Sequence, residues 1–463
     1  MIQDSLIYNN GDTICAISTA PGIGGIAVIR VSGPDAIANV KKIWKGRDLE
    51  TVDSHTAHLG KVLDADGEML DECVATVFKN PASFTGEDVV EVSVHGSKWI
   101  QAQLIQSLIA AGCRMALPGE FTRRAFAAGR FDLAQAEAVA DVIASSSKAS
   151  HRLALSQMRG TYSRKIDAMR DELLQLASLL ELELDFSEED VEFASRSRLL
   201  ELAEDLSLQL SRAAASFKSG QAIKDGIPVA IIGNTNAGKS SLLNALVSDD
   251  RAIVSDIHGT TRDVIEDTVL IGDYLVRFQD TAGIRETQDP IERMGIERSR
   301  MAADTAKLII YVVDSSSSIE PNSVSSELSE LSQSSLIIVA NKSDLKNAFN
   351  DDEWRKVFPE AKIAHCSALL NQGIEELKVV ISNELSENTA NTDIIVANAR
   401  HAQALNDAAE SLKSLSTALR DGIPTDLAAQ DLRQAIYTLS TITGTITTPE
   451  ILQNIFSNFC IGK

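Results

Sequence analysis

The residues with the clearest chemical potential form a run from Gly233 to Ser240, GNTNAGKS. The run fits the pattern G-x-x-x-x-G-K-S, follows the apolar stretch PVAII and precedes SSLLNAL, so we expect it to join a strand to a helix. Backbone N–H groups in such a loop surround phosphate oxygens at the positive end of the helix dipole. Lys239 can then reach the β and γ phosphates, and the Ser240 hydroxyl can supply a Mg²⁺ ligand. The run predicts a site for the phosphates of a nucleoside triphosphate.

Four other segments match further parts of a nucleotide site: two would serve Mg²⁺ and the γ-phosphate, and two would contact the base. Asp280–Gly283, DTAG, follows the strand pattern LVRFQ and can serve the Mg²⁺ shell and the γ-phosphate, while Gly259–Asp263, GTTRD, lies where a switch loop would offer a threonine to the metal. Asn341–Asp344, NKSD, ends a strand, and its carboxylate can accept the two N–H donors on the edge of guanine, which adenine lacks. Ser367–Leu369, SAL, can close over the base with backbone N–H groups. Each segment alone could be a solvated loop, but in this order they predict a GTPase.

The residues near these motifs also bear on how GTP would be hydrolysed. Ile284 occupies the position where many GTPases place a glutamine that orients the attacking water, so either hydrolysis is very slow or another residue positions the water. Asn236, inside the phosphate loop, offers a side-chain oxygen that could hold a monovalent cation. The other oxygens for this cation could come from Ser255, Ile257 and Thr260. A K⁺ ion there would stabilise transition-state charge as an arginine does in other GTPases.

The secondary structure that must position these motifs is predicted to differ between regions of the chain. Residues 13 to about 120 alternate short β-branched strands with helical stretches, and two later regions carry Leu, Ala and Ile at helical spacing. Between those helical regions, short apolar runs alternate with helices, which is the pattern of a parallel sheet buried on both faces. We therefore expect one all-α domain interrupted by an α/β domain. The predicted domains are an N-terminal α+β domain, a first helical part, an α/β nucleotide domain and a second helical part: 1–128, 129–221, 222–384 and 385–463.

Composition narrows the class of protein. The 463 residues suggest about three domains at ~150 residues each. With 43 Lys+Arg against 65 Asp+Glu, the formal net charge is -22, so any RNA contact requires a local basic patch or a basic partner. The five cysteines are far apart, the N-terminus lacks a signal-peptide pattern, and no apolar run approaches the ~18 residues of a membrane span. These features predict a cytoplasmic protein without a membrane partner.

Several of these motifs together resemble those of the MnmE (TrmE) family of tRNA-modification GTPases, within the TrmE-Era-EngA-like GTPases. The resemblance rests on NAGKSSLLN, GTTRD, DTAGIRE and the C-terminal FCIGK, and PGIGGIAVIRVSGPDA, SFTGEDVVEVSVHG and GRFDLAQAEAVAD extend it over the whole chain. It implies a multidomain α/β and α fold. In that fold an N-terminal α+β domain binds folate and dimerises, and an all-α helical domain is interrupted by a Ras-like P-loop GTPase domain, the TrmE-type G domain.

The resemblance also implies an activity. Members of the family are K⁺-stimulated GTP hydrolases, and dimerisation of their G domains drives hydrolysis. With the flavoprotein MnmG they add a carboxymethylaminomethyl or aminomethyl group at C5 of the wobble uridine (position 34) of certain tRNAs. The implied cofactors are GTP, Mg²⁺, K⁺ and a one-carbon donor, 5-formyl-tetrahydrofolate or methylene-tetrahydrofolate. The implied assembly is a homodimer that forms a heterotetramer with MnmG in the cytoplasm.

Residue by residue, the resemblance implies roles for the positions that match the family motifs. Lys239 and Glu292 are the implied catalytic residues, and Glu292 orients the attacking water through a bridging water. The implied metal ligands are Ser240 and Thr261 for Mg²⁺, and Asn236, Ser255, Ile257 and Thr260 for K⁺. The implied folate ligands are Arg30, Glu91, Arg130 and Lys463, with Cys460 as a candidate modification-site residue. The implied GTP-binding residues are Asn236, Ala237, Gly238, Lys239, Ser240, Ser241, Ser255, Asp256, Ile257, His258, Gly259, Thr260, Thr261, Asp280, Thr281, Ala282, Gly283, Asn341, Lys342, Ser343, Asp344, Ser367, Ala368 and Leu369.

The residues alone leave other interpretations open. Arg30, Glu91 and Arg130 could form an ordinary surface ion pair, and Cys460, with no histidine nearby in sequence, favours a positional role over a nucleophilic one. His95, in VSVHGS, is typical of a satisfied histidine at a strand end. Two other functions fit parts of the chain. One is an assembly GTPase of the ribosome-biogenesis type, although such proteins usually carry a basic RNA-binding module. The other is a folate-binding module whose G domain serves only as a dimerisation switch.

Overall fold

The computed structural model describes residues 11–185, 196–248, 267–279, 303–328, 335–346, 348–389, 394–457, 459 and 461–462. The chain divides into two compact units. The first comprises Met1–Ala140, Ser156–Glu181 and Leu432–Lys463, and the second comprises Asp141–Leu155 and Leu182–Asp431. The domain boundaries expected at residues 128, 221 and 384 stay predictions.

Strands are confined to two regions of the described residues, from Ile14 to Met115 and from Ile227 to His365. The strands there are β1 Ile14–Ile17, β2 Gly24–Ser32, β3 Trp44–Gly46, β4 Thr56–Leu63, β5 Met69–Phe78, β6 Val89–Gly96, β7 Arg114–Met115, β8 Ile227–Gly233, β9 Asp267–Ile271, β10 Tyr274–Gln279, β11 Leu308–Asp314, β12 Ser335–Asn341 and β13 Lys362–His365. The helices of the described residues are α1 Ala36–Ile43, α2 Lys98–Ala110, α3 Glu120–Ala127, α4 Leu133–Ala144, α5 Lys148–Met158, α6 Thr161–Asp185, α7 Arg196–Ala215, α8 Phe217–Asp225, α9 Lys239–Ser248, α10 Pro321–Leu328, α11 Asp351–Val357, α12 Ile374–Thr389, α13 Ala399–Arg420, α14 Thr425–Thr443 and α15 Pro449–Ser457.

The first unit is built on a seven-stranded sheet in the order β3-β4-β5-β6-β2-β1-β7. All neighbours are antiparallel except the parallel pair β1 and β7. The short β-branched strands expected between residue 13 and about 120 are confirmed: TICAIS contains β1, GIAVIRVSG contains most of β2, and VVEVSVHG is β6. This is the expected α+β architecture.

The sheet of the first unit is buried on the face covered by α1 and α2. Ile29 and Val92 belong to this core, together with Val40 of α1 and Leu104 of α2. Because side chains alternate between the two faces of a strand, the residues next to these core positions lie on the other face. Arg30 in β2 and Glu91 in β6 therefore lie away from this core, and they are register partners.

The second unit carries a six-stranded sheet in the order β13-β12-β11-β8-β10-β9. The first five strands of this order are parallel, so the expected parallel sheet is confirmed. The edge strand β9 differs, because it runs antiparallel to β10. Only Gly272 and Asp273 separate these two strands, and so short a turn can join only antiparallel strands.

The central strands of this sheet are buried on both faces, as the sequence predicts. Val229 and Ile231 of β8 belong to one core, and Ala230 and Ile232 belong to the core on the opposite face. The parallel strands β8, β11 and β12 end at the same edge, with Gly233 opposite Val312 and Asp314 opposite Asn341. This edge positions the nucleotide motifs.

Helix α7 precedes the α/β region in sequence and α13 follows it, and the two helices pack against each other within the second unit. Ser207 Oγ of α7 donates to the carbonyl of Ala409 in α13 over 3.1 Å, and Arg420 pairs with Glu204. The expectation that the two helical flanks pack together is therefore confirmed for α7 and α13. None of the described helices combines the length and apolarity needed to cross a membrane.

Candidate functional site

The phosphate loop joins β8 to α9 and is packed tightly against neighbouring backbone and side chains. Gly233 has a φ of +141°, and a Cβ there would lie 2.2 Å from the carbonyl oxygen of Val312. Gly238 has a φ of +92°, and its Cβ would lie 2.3 Å from Asn341 Nδ2. Both glycines of the motif are therefore required by the fold itself, as well as by the approach of a phosphate.

Lys239 binds its own loop in this structure. Its Nζ donates to the carbonyl of Gly233 over 2.7 Å and to that of Asn234 over 2.8 Å. Asn236 is exposed and has a φ of +64°, which is uncommon for a residue with a side chain, while Ala237 is buried. The loop thus holds its shape through the lysine and presents Asn236 at its surface.

Asn341 connects the phosphate loop to the segments expected to contact a base. Its side chain is buried, and its Nδ2 donates to the carbonyl of Ala237 over 2.8 Å. Its Oδ1 accepts from the backbone N–H of Ala368 over 3.0 Å and from Cys366 Sγ over 3.6 Å. Burial raises the pKa of Cys366 to about 12, so the thiol keeps its proton and acts as the donor. The Asn341 amide therefore joins the NKSD motif to both the phosphate loop and the SAL segment.

Asp344 is held by the SAL segment. Ser367 Oγ donates to Asp344 Oδ1 over 2.5 Å and accepts from the backbone N–H of Leu370 over 3.3 Å. The backbone of Ser367 pairs with that of Gln372. Leu369 follows and is 83% exposed. The carboxylate expected to bind guanine is thus oriented by a hydroxyl, next to an exposed apolar side chain.

The predicted nucleotide residues that the structure describes come together at the carboxyl edge of the second sheet. Lys342 and Ser343 lie between Asn341 and Asp344, and Ser240 and Ser241 lie in the first turn of α9. The other predicted nucleotide, metal and catalytic residues lie outside the described part of the chain: Ser255, Asp256, Ile257, His258, Gly259, Thr260, Thr261, Asp280, Thr281, Ala282, Gly283 and Glu292.

A second candidate site lies in the first unit, where Arg30 and Glu91 pair across two strands. Arg30 Nε donates to Glu91 Oε1 over 2.9 Å, and the Arg30 NH2 group lies 2.9 Å from the same oxygen. The Arg30 guanidinium also lies over two aromatic rings, 5.2 Å from the centroid of Phe84 and 5.5 Å from that of Phe121. Planar charge, a carboxylate and aromatic rings together suit a flat, polar heterocycle.

The other predicted folate residues lie near this pair or outside the described chain. A Cβ added to Gly86 would lie 3.6 Å from Arg130 Cγ, which places Arg130 beside the loop that carries Phe84. Gly462 accepts from Ser18 Oγ through its carbonyl over 3.2 Å, so the chain returns to the end of β1, the neighbour of β2. Lys463 and Cys460 themselves lie outside the described residues.

A buried ion network next to this site is a feature that the sequence did not reveal. Arg124 and Glu120, with 5% and 1% of their side chains exposed, lie 3.0 Å apart. Arg124 also contacts Asp12 and Glu87, and Arg114 donates to both oxygens of Glu120, over 2.8 and 2.6 Å. Burial alone would raise the pKa of Glu120, but the hydrogen bonds from Arg114, the backbone N–H of Leu117 and Arg124 together outweigh it and lower the pKa to about 2. The network fixes the loop from Phe84 to Glu87 relative to α3.

His95 lies at the end of β6 and has a partner there. Its Nδ1 lies 2.9 Å from Asp71 Oδ1, and its backbone N–H donates to Asp71 Oδ2 over 2.8 Å. The expectation of a satisfied histidine at a strand end is therefore confirmed.

Fold and site together define a class. A parallel sheet that feeds a G-x-x-x-x-G-K-S loop into a helix, with an NKSD motif hydrogen-bonded to that loop, is the arrangement of a P-loop GTPase. The sequence matches two family descriptions: "GTP-binding protein TrmE N-terminus" over residues 13–130 and "MnmE helical domain" over residues 133–460.

Full-length relatives agree with these matches, and the relatives described next each carry the name "tRNA modification GTPase MnmE". The protein of Parabacteroides distasonis is 50% identical, over 97% of this chain and 100% of its own. That of Porphyromonas gingivalis is 48% identical, over 98% of each chain. That of Cytophaga hutchinsonii is 46% identical, over the whole of both chains. The chain belongs to the MnmE family, and it is a GTP hydrolase. Family membership supports a GTPase role in tRNA modification.

Proposed function

We propose that this chain is a K⁺-stimulated GTPase that modifies tRNA together with the flavoprotein MnmG. The product is a carboxymethylaminomethyl or aminomethyl group at C5 of the wobble uridine (position 34), and a tetrahydrofolate donates the one-carbon unit. The observation that supports the proposal is that one chain holds two candidate sites of different chemistry. One is a phosphate loop joined to NKSD through Asn341, and the other is the Arg30–Glu91 pair against aromatic rings.

The nucleotide residues divide the work of binding GTP. The glycine loop offers backbone N–H groups to the phosphates, and Lys239 exchanges its loop carbonyls for phosphate oxygens, which are better partners for an ammonium group. Asp344 accepts from the guanine edge while Ser367 keeps its carboxylate oriented. Glu292 orients the attacking water through a second water. These steps bind and align the substrate, which is most of what phosphoryl transfer requires of a protein.

We propose two metal ions for this site, held by oxygen donors of the phosphate loop and of the segment from Ser255 to Thr261, which lies outside the described residues. Ser240 and Thr261 would hold Mg²⁺, which prefers oxygen ligands, and Asn236, Ser255, Ile257 and Thr260 would hold K⁺. The supporting observation is at Asn236, whose left-handed backbone (φ +64°) keeps an amide side chain exposed in the loop. When bound, the ions neutralise charge that develops on the phosphates.

The Arg30–Glu91 site fits a tetrahydrofolate. A pterin ring presents N–H donors that a carboxylate can accept, and both contacts from Arg30 use the same oxygen of Glu91. Among the described residues, none donates to Glu91 Oε2. Arg130, and Lys463 at the end of the chain that returns to Ser18, would supply positive charge for the glutamate tail.

The net charge of the chain supports the proposed partners. A formal net charge of -22 disfavours tRNA binding by this chain alone, so we propose that MnmG, in a heterotetramer with a homodimer of this chain, holds the tRNA. Dimerisation of the G domains drives hydrolysis. Because tRNA is a cytoplasmic molecule, we place the reaction in the cytoplasm, with Cys460 as a candidate residue at the modified base.

The cation is the part of this proposal most open to a direct test. GTP turnover of the purified chain is measured in KCl and in NaCl at equal ionic strength, for the wild type and for Asn236→Gly. Glycine tolerates the φ of +64°, so this variant removes the side-chain oxygen without adding backbone strain. We expect strong stimulation by K⁺ in the wild type and none in Asn236→Gly.

The matched control is Asn322→Ala, which removes an exposed amide from α10 in the same unit and should keep the K⁺ response. Equal, slow turnover of the wild type in both salts would contradict the cation mechanism. The transition-state charge would then be met by a partner, as in an assembly GTPase.

A further inference from the structure

An ion pair lies beside the guanine motif and involves a residue outside every nucleotide motif. Lys342 Nζ is 2.7 Å from Asp314 Oδ2, and the two side chains are 32% and 18% exposed. The position of Asp314 follows from the sheet, because β11 ends at Asp314, β12 ends at Asn341, and these two residues are register partners. The pair therefore joins the ends of two neighbouring strands at the edge that carries the phosphate loop.

Asp314 is itself fixed by the turn that follows it. Ser316 donates to Asp314 Oδ1 twice, from its backbone N–H over 2.9 Å and from its hydroxyl over 2.6 Å. The backbone N–H of Ser315 donates to the carbonyl of Asn341 over 2.9 Å, which ties the same turn to the guanine motif. Partial burial would raise the pKa of Asp314, but the hydrogen bonds from Lys342 and Ser316 outweigh it and lower the pKa. The carboxylate stays ionised and in one orientation.

Lys342 is unusual in its backbone. Its φ is +61°, in the left-handed region that residues with a side chain seldom adopt. A lysine side chain without a fixed partner samples many rotamers, and ordering it when a ligand binds opposes binding. Because Asp314 holds the ammonium group within the folded chain, that ordering takes place on folding and not on binding.

We propose that Asp314 is a positioning residue for guanine recognition, which fixes Lys342 alongside Asn341 and Asp344 before the nucleotide arrives. The inference rests on the proposed guanine site. The methylene stem of a fixed lysine gives a flat base an apolar surface to pack on, while the ammonium group keeps its charge partner. Asp314 acts on nucleotide affinity through Lys342 and takes no part in hydrolysis itself.

A double-mutant cycle tests this relationship. Affinity for a fluorescent GDP analogue is measured for the wild type, Asp314→Asn, Lys342→Ala and the double variant. We expect Asp314→Asn to weaken binding roughly two- to tenfold, the cost of ordering one long side chain. We expect the KM for GTP to rise by the same factor with kcat unchanged. In the Lys342→Ala background, Asp314→Asn should have no further effect, because the residue acts through Lys342.

The control is Asp352→Asn, which removes an exposed carboxylate from α11 and should bind GDP as the wild type does. Ser316→Ala is the milder second variant. It should also weaken GDP binding, by a smaller factor than Asp314→Asn. If Asp314→Asn does not fold, this variant tests the positioning role of Asp314 in its place. Additive losses in the cycle, or wild-type affinity in Asp314→Asn, would overturn the role of Asp314. A wild-type chain that does not bind GDP would instead overturn the proposed guanine site.

Discussion

Asn341 Nδ2 donates to the carbonyl of Ala237 over 2.8 Å, across 104 positions of sequence, and thereby joins the guanine motif to the phosphate loop. Asn341 is 2% exposed, so this bond is made away from water. The same side chain accepts from the backbone N–H of Ala368. Its loss would remove a hydrogen-bond donor from the buried carbonyl of Ala237 and the acceptor of the partly buried N–H of Ala368.

Asn341→Ala should therefore weaken nucleotide binding and destabilise the second unit. Leaving a buried polar group unsatisfied costs about 1–3 kcal/mol. The expected result is a fall of that order in the free energy of unfolding, seen as a lower midpoint of thermal unfolding. GDP binding should weaken as well, because the guanine motif is no longer joined to the phosphate loop. Fluorescent-GDP titration and calorimetry measure the two effects.

Asn322→Ala, on the exposed surface of α10, is the matched change and should leave both quantities unaltered. Wild-type affinity in Asn341→Ala would mean that the phosphate loop keeps its shape without this bond.

The Arg30–Glu91 pair predicts that folate binding and GTP turnover separate. Arg30→Ala removes a charge-assisted bond and the guanidinium over Phe84 and Phe121, so 5-formyl-tetrahydrofolate affinity should fall at least about tenfold. GTP turnover should not change, because the nucleotide residues belong to the other unit. Isothermal titration and a phosphate-release assay provide the two readouts.

Lys45→Ala removes an exposed cation from β3 of the same unit and serves as the control. The folate assignment is wrong if Arg30→Ala binds 5-formyl-tetrahydrofolate as the wild type does.

Glu120 predicts a pH dependence of stability in the first unit. Its pKa in the folded chain is about 2 and its ordinary value is 4.5, so between these values the unfolded chain binds more protons than the folded one. The stabilisation by Glu120 is therefore complete above pH about 4.5 and is lost as the pH falls towards 2. Denaturant unfolding of the wild type and of Glu120→Gln across this range should show a difference that shrinks with acid.

Glu68→Gln, an exposed carboxyl in the same unit, should show no such change relative to the wild type. A difference between the wild type and Glu120→Gln that stays constant from pH 5 to pH 2.5 would exclude this titration.

The sequence predicts best what local patterns determine. Gly233 and Gly238 belong to a motif whose strand and helix follow from apolar runs on either side, and both lie where the pattern requires them. NKSD was expected at a strand end, and β12 ends at its first residue, Asn341. Because carboxyl ends of parallel strands meet at one edge, the meeting of these motifs could also be foreseen.

Contacts between distant residues were beyond the reach of sequence patterns. The bond between Asn341 and Ala237 depends on a strand order that no local signal encodes. Arg124 and Glu120, four apart on α3, look like an exposed helix pair in sequence, but both side chains are buried in the folded unit. Phe84 lies in the family-like segment SFTGEDVVEVSVHG, but the sequence does not indicate that its ring contacts Arg30. Only the folded sheet brings the two together.

The most direct test of the account is reconstitution of the reaction with purified components. The chain, MnmG, tRNA, GTP, KCl, Mg²⁺ and methylene-tetrahydrofolate are combined with an amine, glycine for the carboxymethylaminomethyl product or ammonium for the aminomethyl product. The modified wobble nucleoside is then measured by mass spectrometry. Lys239→Ala impairs the phosphate loop, and Arg30→Ala impairs the candidate folate site in the other unit. We predict the modified nucleoside with the wild type and none with either variant. Full modification by Lys239→Ala or by Arg30→Ala would contradict the claim that both sites serve one reaction.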